Sequence, residues 1–363
     1  MKPMIKPELL IDLLGGLKDP LTGRELKGIL KSHHIKSEGS KIKVNFPLGY
    51  KLSSDELHAL QDQASQILIS NYLNQVELNF DLSVRKHKVQ AGLRPLDKVS
   101  NIIAVASGKG GVGKSTCAVN IAIGLAQSGA NVGLLDADIY GPSVPILMGL
   151  EGKPEINSKQ MMIPHFRHGI WTNSFGFLIG EDEAAIWRGP MVVQALNQLI
   201  SFTDWPQLDY LIVDMPPGTG DIALSMSQKI PVVGAVIITT PQDLALLDVK
   251  KGVAMFEKVG VPILGVIENM ATYTCPKCGH TESIFGHEGG LKLSNQMGLR
   301  YLGALPLNIK IREGSDAGIP ITKSEPESQE AKIFRNISRQ IAISISSSSL
   351  DMTHKLPPVV LKS

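Results

Sequence analysis

From residue 101 onward, short unbroken apolar runs alternate with stretches of helical spacing. Residues 101–106 (NIIAVA), 131–136 (NVGLLD), 210–214 (YLIVD), 232–239 (VVGAVIIT) and 263–267 have the continuous hydrophobicity of strands buried on both faces. Helical stretches fall between them at 117–127, 192–201, 244–259 and 289–297. This alternation predicts an α/β fold with a doubly wound, mainly parallel sheet. Ligands of such sheets bind beyond the carboxyl ends of the strands.

Ahead of this pattern, residues 1–83 read as a separate small α/β unit. Helical spacing covers 6–15 and 53–71, and Ser53 with Glu56 forms a capping box that opens the second helix. Residues 28–35 and 41–47 predict a strand pair around the Glu38-Gly39-Ser40 turn, and 75–82 alternates as a third strand. His33-His34, an adjacent pair without further ligands, reads as surface strand rather than a metal site. Residues 84–100 are basic (Arg85, Lys86, Lys88) and interrupted by Gly92 and Pro95, the signature of a solvated linker. The main domain then runs over 101–325. Residues 326–363 supply one amphipathic helix at 329–345, expected to dock on the core, and a Ser- and Pro-containing tail expected to be mobile.

Composition narrows the class without naming a ligand. A chain of 363 residues has room for roughly two domains, and 43% apolar with 19% charged residues is ordinary for a globular protein. A net charge of +2 gives no argument for nucleic acid or an anionic membrane as partner. No run approaches the about 18–20 apolar residues that span a bilayer, and Glu8 and Asp12 make the N-terminus a poor signal peptide. Three cysteines, two of them as C-x-x-C, do not make a disulfide framework and point to thiolate chemistry in a reducing cytoplasm.

The chemistry centres on residues 107–116, SGKGGVGKST, between the first strand and the first helix of the main domain. Gly108, Gly113, Lys114 and Ser115 fit G-x-x-x-x-G-K-[ST]. Backbone N–H groups of Gly108, Lys109, Gly110, Gly111, Val112 and Gly113 can curl into a phosphate cradle, with the helix N-terminus behind it. Lys114 suits the β- and γ-phosphates, Ser115 suits Mg²⁺, and Thr116 offers one more hydroxyl. Lys109, a second cation in the same cradle, is hard to justify for one set of phosphates unless it is a solvated surface lysine. Asp214 closes the third apolar run, where a carboxylate can hold Mg²⁺. Asp138, two residues past Asp136, is assigned to the attacking water or to Mg²⁺, with Asp136 as the alternative. Residues 218–221 (GTGD) form a loop able to approach a γ-phosphate and shift when it leaves. Cys275 and Cys278 chelate one corner of a soft-metal site. Three arrangements remain open from the residues: pooling with a second copy around one cluster, a zinc site with His280 and His287, or a redox dithiol or structural knuckle. Cys117, in the P-loop helix, reads as core.

Together these segments resemble the Mrp/ApbC-type iron–sulfur cluster carrier ATPases, a branch of the deviant Walker A P-loop NTPases. The resemblance runs through GKGGVGKST, LLDADIYGPSVPILMG, IWRGPM (186–191), DYLIVDMPPGTGD, TTPQDLALLDVKKG, VIENM and CPKCG, and KDPLTG at 18–23 is similar to the MIP18-type domain fused ahead of it. The resemblance implies a cytoplasmic homodimer that hydrolyses ATP with Mg²⁺ and carries a [4Fe–4S] cluster between Cys275 and Cys278 of both chains. It would exchange that cluster with scaffold proteins and apo iron–sulfur proteins. It further implies that Lys109 acts across the dimer interface and that Asn269 contacts adenine. The contrasting classes are a Min-type membrane-cycling or positioning ATPase, which needs an amphipathic membrane helix at the extreme C-terminus, and a zinc-bound nucleotide-dependent adaptor.

Overall fold

The computed structural model describes residues 6–38, 41–178 and 189–351. The chain divides into two compact units, Met1–Arg85 and Lys86–Ser363.

In the first unit, β1 (Ile35–Glu38) pairs antiparallel with β2 (Lys41–Pro47), and β2 pairs in parallel with β3 (Val76–Asp81). Alternate residues of β2 (Ile42, Val44, Phe46) turn inward. There they share a core with Leu10 and Leu14 of the helix Pro7–Gly15 and Leu60 and Ala64 of the helix Ser54–Ser70. The capping box is formed: the Glu56 N–H donates to Ser53 Oγ at 3.3 Å and the Ser53 N–H to Glu56 Oε2 at 2.8 Å. The first strand is shorter than its pattern suggests. Gly28 has φ +82°, and Ser32–His34 winds into a 3-10 turn in which the Lys31 N–H donates to His34 Nδ1 at 3.0 Å. The histidine pair is therefore a turn and not a strand. In KDPLTG, Asp19 is buried and gathers the N–H groups of Leu21 and Thr22 and the Tyr50 hydroxyl.

The second unit is built on eight strands: β4 (Val99–Ser107), β5 (Val132–Asp136), β6 (His165–Arg167), β7 (Ile170–Ser174), β8 (Leu208–Asp214), β9 (Gly234–Thr239), β10 (Ile263–Glu268) and, after a two-strand hairpin β11 (Tyr273–Thr274) and β12 (Thr281–Glu282), β13 (Tyr301–Ala304). Their order is β13-β10-β9-β4-β8-β5-β7-β6, parallel throughout except for the β6–β7 edge hairpin. Ile102, Ala104 and Ala106 of β4 pack with Val192, Leu196, Val253 and Phe256 from the helices Gly189–Ser201 and Asp243–Lys258. The P-loop helix Lys114–Gln127 and the C-terminal helix Gln329–Ser346 pack against each other as the layer on the other face, where Ser338 Oγ donates to the Ile121 carbonyl at 3.1 Å. This is the doubly wound, mainly parallel arrangement that the alternating pattern predicts.

Two departures have physical causes. β7 (IWTNS) escapes a hydrophobicity reading because Thr172, Asn173 and Ser174 are buried polar residues. The burial of two of them is tolerated through specific partners, Asn173 Nδ2 donating to Thr203 Oγ1 at 2.7 Å and Ser174 Oγ to Asp136 Oδ2 at 2.9 Å, whereas Thr172 Oγ1 has none among the described residues. Residues 86–98, expected as a solvated tether, are packed on the second unit instead. The Lys88 N–H donates to the Ser349 carbonyl and the Asp351 N–H to the Lys86 carbonyl, while Gln90 Nε2 donates to the carbonyls of Ser227 and Ile230. Polar side chains found backbone partners there, which composition cannot reveal.

The C-terminal helix buries Phe334, Ile337, Ile341 and Ile345 in the core, so its apolar face is used internally. Among the described residues no helix is long and apolar enough to cross a membrane. The tail from residue 352 and Ile186, Trp187 and Arg188 of IWRGPM lie outside the described residues. Ile341→Ala is expected to lower the stability of the second unit by about 2–5 kcal/mol in denaturant unfolding. A loss below about 0.5 kcal/mol would show that this helix is not part of the core.

Candidate functional site

Three neighbouring strands deliver the site. β4 runs directly into the P-loop at Ser107, and the register sets Val105 opposite Asp214 and Asp214 opposite Asp136. The ends of β4, β8 and β5 thus lie side by side beneath the loop. Two glycines are dictated by space. A Cβ on Gly108 would stand 2.4 Å from the Asp248 Cβ, and one on Gly113 would stand 2.3 Å from Asn269 Nδ2, where φ is also +81°. A cavity of about 300 Å³ opens beyond the loop, lined by Lys109, Gly111, Lys114, Ser115, Thr116 and Asp138 among others.

Lys114 is 6% exposed and points inward. Its Nζ lies 2.6 Å from Asp214 Oδ1, 3.3 Å from Ser115 Oγ and 3.8 Å from Asp138 Oδ2. The second oxygen of Asp214 and Oδ1 of Asp138 are buried without a hydrogen-bond partner. Two unsatisfied carboxylate oxygens and the Ser115 hydroxyl form an all-oxygen donor set of the kind Mg²⁺ selects, so these residues fit that ion. Burial pushes the Asp138 carboxyl up, against the pull of Lys114 and of the Tyr140 and Gly141 N–H groups. Asp136 is pushed up by burial and then by the charge of Asp214. Asp136 is wholly interior, with its oxygens engaged by the N–H groups of Asp138 and Val144 and by Ser174 Oγ. Of the two aspartates in DADIYGPS, Asp138 is the one that lines the cavity.

Around the cradle, Lys109 Nζ donates to Gln242 Oε1 at 3.1 Å, within its own chain. Asn269, expected at the adenine, donates from Nδ2 to the Val112 carbonyl at 2.9 Å and so braces the P-loop. The Gly218 N–H reaches the Ser107 carbonyl at 2.9 Å, tying the GTGD loop to the end of β4 just ahead of the helix Asp221–Lys229. Sequence reasoning missed Gln242 and Ser174. TTPQDL carries no charge signal at Gln242, and Ser174 sits in a polar run that resembles a loop.

The cysteine pair occupies the tip of the β11–β12 hairpin. The Cys275 N–H donates to the His280 carbonyl at 2.8 Å, the Gly279 N–H returns to the Cys275 carbonyl at 2.9 Å, and Gly279 takes φ +72° to close the knuckle. N–H groups of Cys278 and Lys277 aim at the Cys275 sulfur and hold its thiol below the usual range. Cys278 is exposed and Cys275 partly so. His280 pairs with Glu282 and His287 with Glu288, both on the surface. Among the described residues no three His, Cys, Asp or Glu side chains are grouped for a metal, so the zinc site with both histidines is not assembled. Cys117 is buried core, and burial pushes its thiol far up.

Comparison with known proteins gives a consistent picture. A family model described as ParA, the NUBPL iron-transfer P-loop NTPase, matches residues 98–342. An iron-sulfur cluster carrier protein of Salmonella typhimurium is 44% identical over 334 residues, 91% of this chain and 89% of that protein. The iron-sulfur cluster transfer protein NUBPL of Dictyostelium discoideum is 52% identical over 248 residues, 68% of this chain and 77% of its own length. Among solved structures, a nucleotide-binding protein in complex with ADP from Archaeoglobus fulgidus superposes with a TM-score of 0.57 at 36% identity, covering 65% of this chain and 92% of that one.

Two outcomes follow from the geometry. Gly113→Ala is expected to weaken nucleotide binding by about tenfold or more in equilibrium titration, because the added methyl meets Asn269 in a backbone conformation that alanine resists. Unchanged affinity would mean the loop is not held as described. In the reduced, metal-free chain near neutral pH, iodoacetamide is expected to label Cys275 well before Cys117. The thiolate is the reacting form, and the N–H groups favour it at Cys275 while burial disfavours it at Cys117. Equal labelling rates would contradict this.

Proposed function

The chain belongs to the ParA/NUBPL family of iron-transfer P-loop NTPases, and from that premise we propose that it is an ATP-hydrolysing carrier holding a [4Fe–4S] cluster between two copies of itself for delivery to apo-proteins. One observation carries this: a phosphate cradle and a hairpin with two accessible thiols share one chain, and the described residues supply no third ligand beside the thiols. Four-cysteine cluster chemistry then calls for the same pair from a second copy. A cargo held by two cysteines per chain at the tip of an exposed hairpin is exchangeable, as delivery requires.

In the cradle, Lys114 exchanges the Asp214 carboxylate for the β- and γ-phosphates of ATP. Asp214 and Ser115 would then hold Mg²⁺, which when bound would supply charge neutralisation to the phosphates. Asp138 orients the attacking water. Lys109 leaves Gln242 to reach the nucleotide of the second copy, and Asn269, at the rim of the cradle, serves the adenine. The loop at 218–221 reports the γ-phosphate to the helix behind it. Scaffold proteins load the cargo and apo iron–sulfur proteins receive it, in the reducing cytoplasm, with neither nucleic acid nor membrane as a partner. A membrane-cycling role finds no support in the C-terminal helix, whose apolar face is packed inside the unit.

Anaerobic reconstitution with iron and sulfide tests the proposal. The expected result is a [4Fe–4S] absorption band that Cys275→Ala abolishes while nucleotide binding stays within about twofold of wild type. Lys114→Ala should do the reverse, lowering ATP affinity by about a hundredfold through loss of charge-assisted phosphate contacts. A full cluster spectrum in Cys275→Ala would refute the assignment.

A further inference from the structure

Ser174 ends β7 with its hydroxyl turned toward the neighbouring strand. In the register it lies opposite Asp136, and Asp136 lies opposite Asp214, so three adjacent strands finish on one polar rung. All three side chains are fully buried. The Ser174 oxygen accepts from the Gly176 N–H at 2.8 Å, which directs its own proton to Asp136 Oδ2 at 2.9 Å. That same carboxylate oxygen accepts the Val144 N–H at 3.1 Å, and Oδ1 accepts the Asp138 N–H at 3.1 Å. One buried carboxylate therefore pins both ends of the loop from 138 to 144, and the serine anchors that carboxylate from the side away from Asp214. The loop carries Asp138, which lines the phosphate cavity with one oxygen still unpartnered.

We propose that Ser174 is a positioning residue for ATP hydrolysis, acting through Asp136 to hold Asp138 at the cavity. The inference rests on the role given to Asp138 in the proposed function. Ser174 does not line the cavity. Nucleotide affinity, set by the cradle backbone and Lys114, is therefore separable from the alignment of the loop. Removing the hydroxyl frees one acceptor of a buried carboxylate and loosens its hold on two backbone N–H groups. The consequence falls on turnover and spares ATP binding.

The test compares the full-length wild-type chain with Ser174→Ala and Ser174→Thr in steady-state ATP hydrolysis, and in amide hydrogen exchange without nucleotide. Ser174→Ala is expected to lower kcat about tenfold with KM for ATP within about twofold. Exchange in the loop 138–144 should rise about tenfold while the P-loop helix is unchanged. Ser174→Thr keeps the hydroxyl and should bring both readouts to within about threefold of wild type. Ser174→Cys, a close match in size with a weak donor, should move in the direction of the alanine variant and serves if that variant does not fold.

The proposal is overturned if kcat stays within twofold, if loop exchange does not change, or if exchange rises across β5–β8 together with a parallel loss of ATP affinity. A wild-type chain without ATP turnover would sink the hydrolysis assignment separately. The loop-specific exchange change would still support the positioning contact, and its absence would overturn it.

Discussion

The ammonium of Lys114, buried against Asp214 and close to Asp138, is the interaction on which the site depends. A lysine 6% exposed must have an anion, because an unpaired charge in that position is far more costly than the pair. Removing one partner of a buried ion pair costs about 3–5 kcal/mol. The cation is therefore never idle. It rests on the Asp214 carboxylate; in the proposed function phosphate would replace that carboxylate and the exchange would uncover Asp214 for a metal ion.

The frame that enforces this is the parallel sheet. Its central strand β4 feeds the P-loop, and the next two strands on one side, β8 and β5, end in Asp214 and Asp136 at matching register. Space then restricts the loop itself, since the helix carrying Asp248 leaves no room at Gly108 and Asn269 leaves none at Gly113. Asp136 shows how one aspartate is enclosed in the core while a near neighbour is left at the cavity. Serine and two backbone N–H groups enclose the first, and the second faces the cavity.

Most of the second unit was legible in the sequence because strands buried on both faces must be apolar runs. The five runs identified there became five parallel strands. β7 was hidden for the opposite reason: it is a buried polar run in which Asn173 and Ser174 owe their place to hydrogen-bond partners distant in sequence, Thr203 and Asp136. The packed segment 86–98 was hidden in the same way, since Gln90 gains its partners from the end of the helix Asp221–Lys229. The motif residues announced themselves by chemistry. Lys114, Ser115 and Asp138 meet at one cavity, whereas nothing in the local pattern could place Lys109 on Gln242 or Asn269 on Val112. His280 and His287, plausible ligands by spacing, pair with their own glutamates on the surface.

In the proposed function the cysteine hairpin is half of a cluster site: two accessible sulfurs, one favoured as thiolate by backbone N–H groups, with no further ligand gathered around them among the described residues. Native mass spectrometry of the anaerobically reconstituted chain addresses that claim most directly. The account predicts a species of two chains plus one set of four iron and four sulfide, absent when iron is withheld. A cluster mass on a single chain, or metal carried by monomers alone, would contradict it.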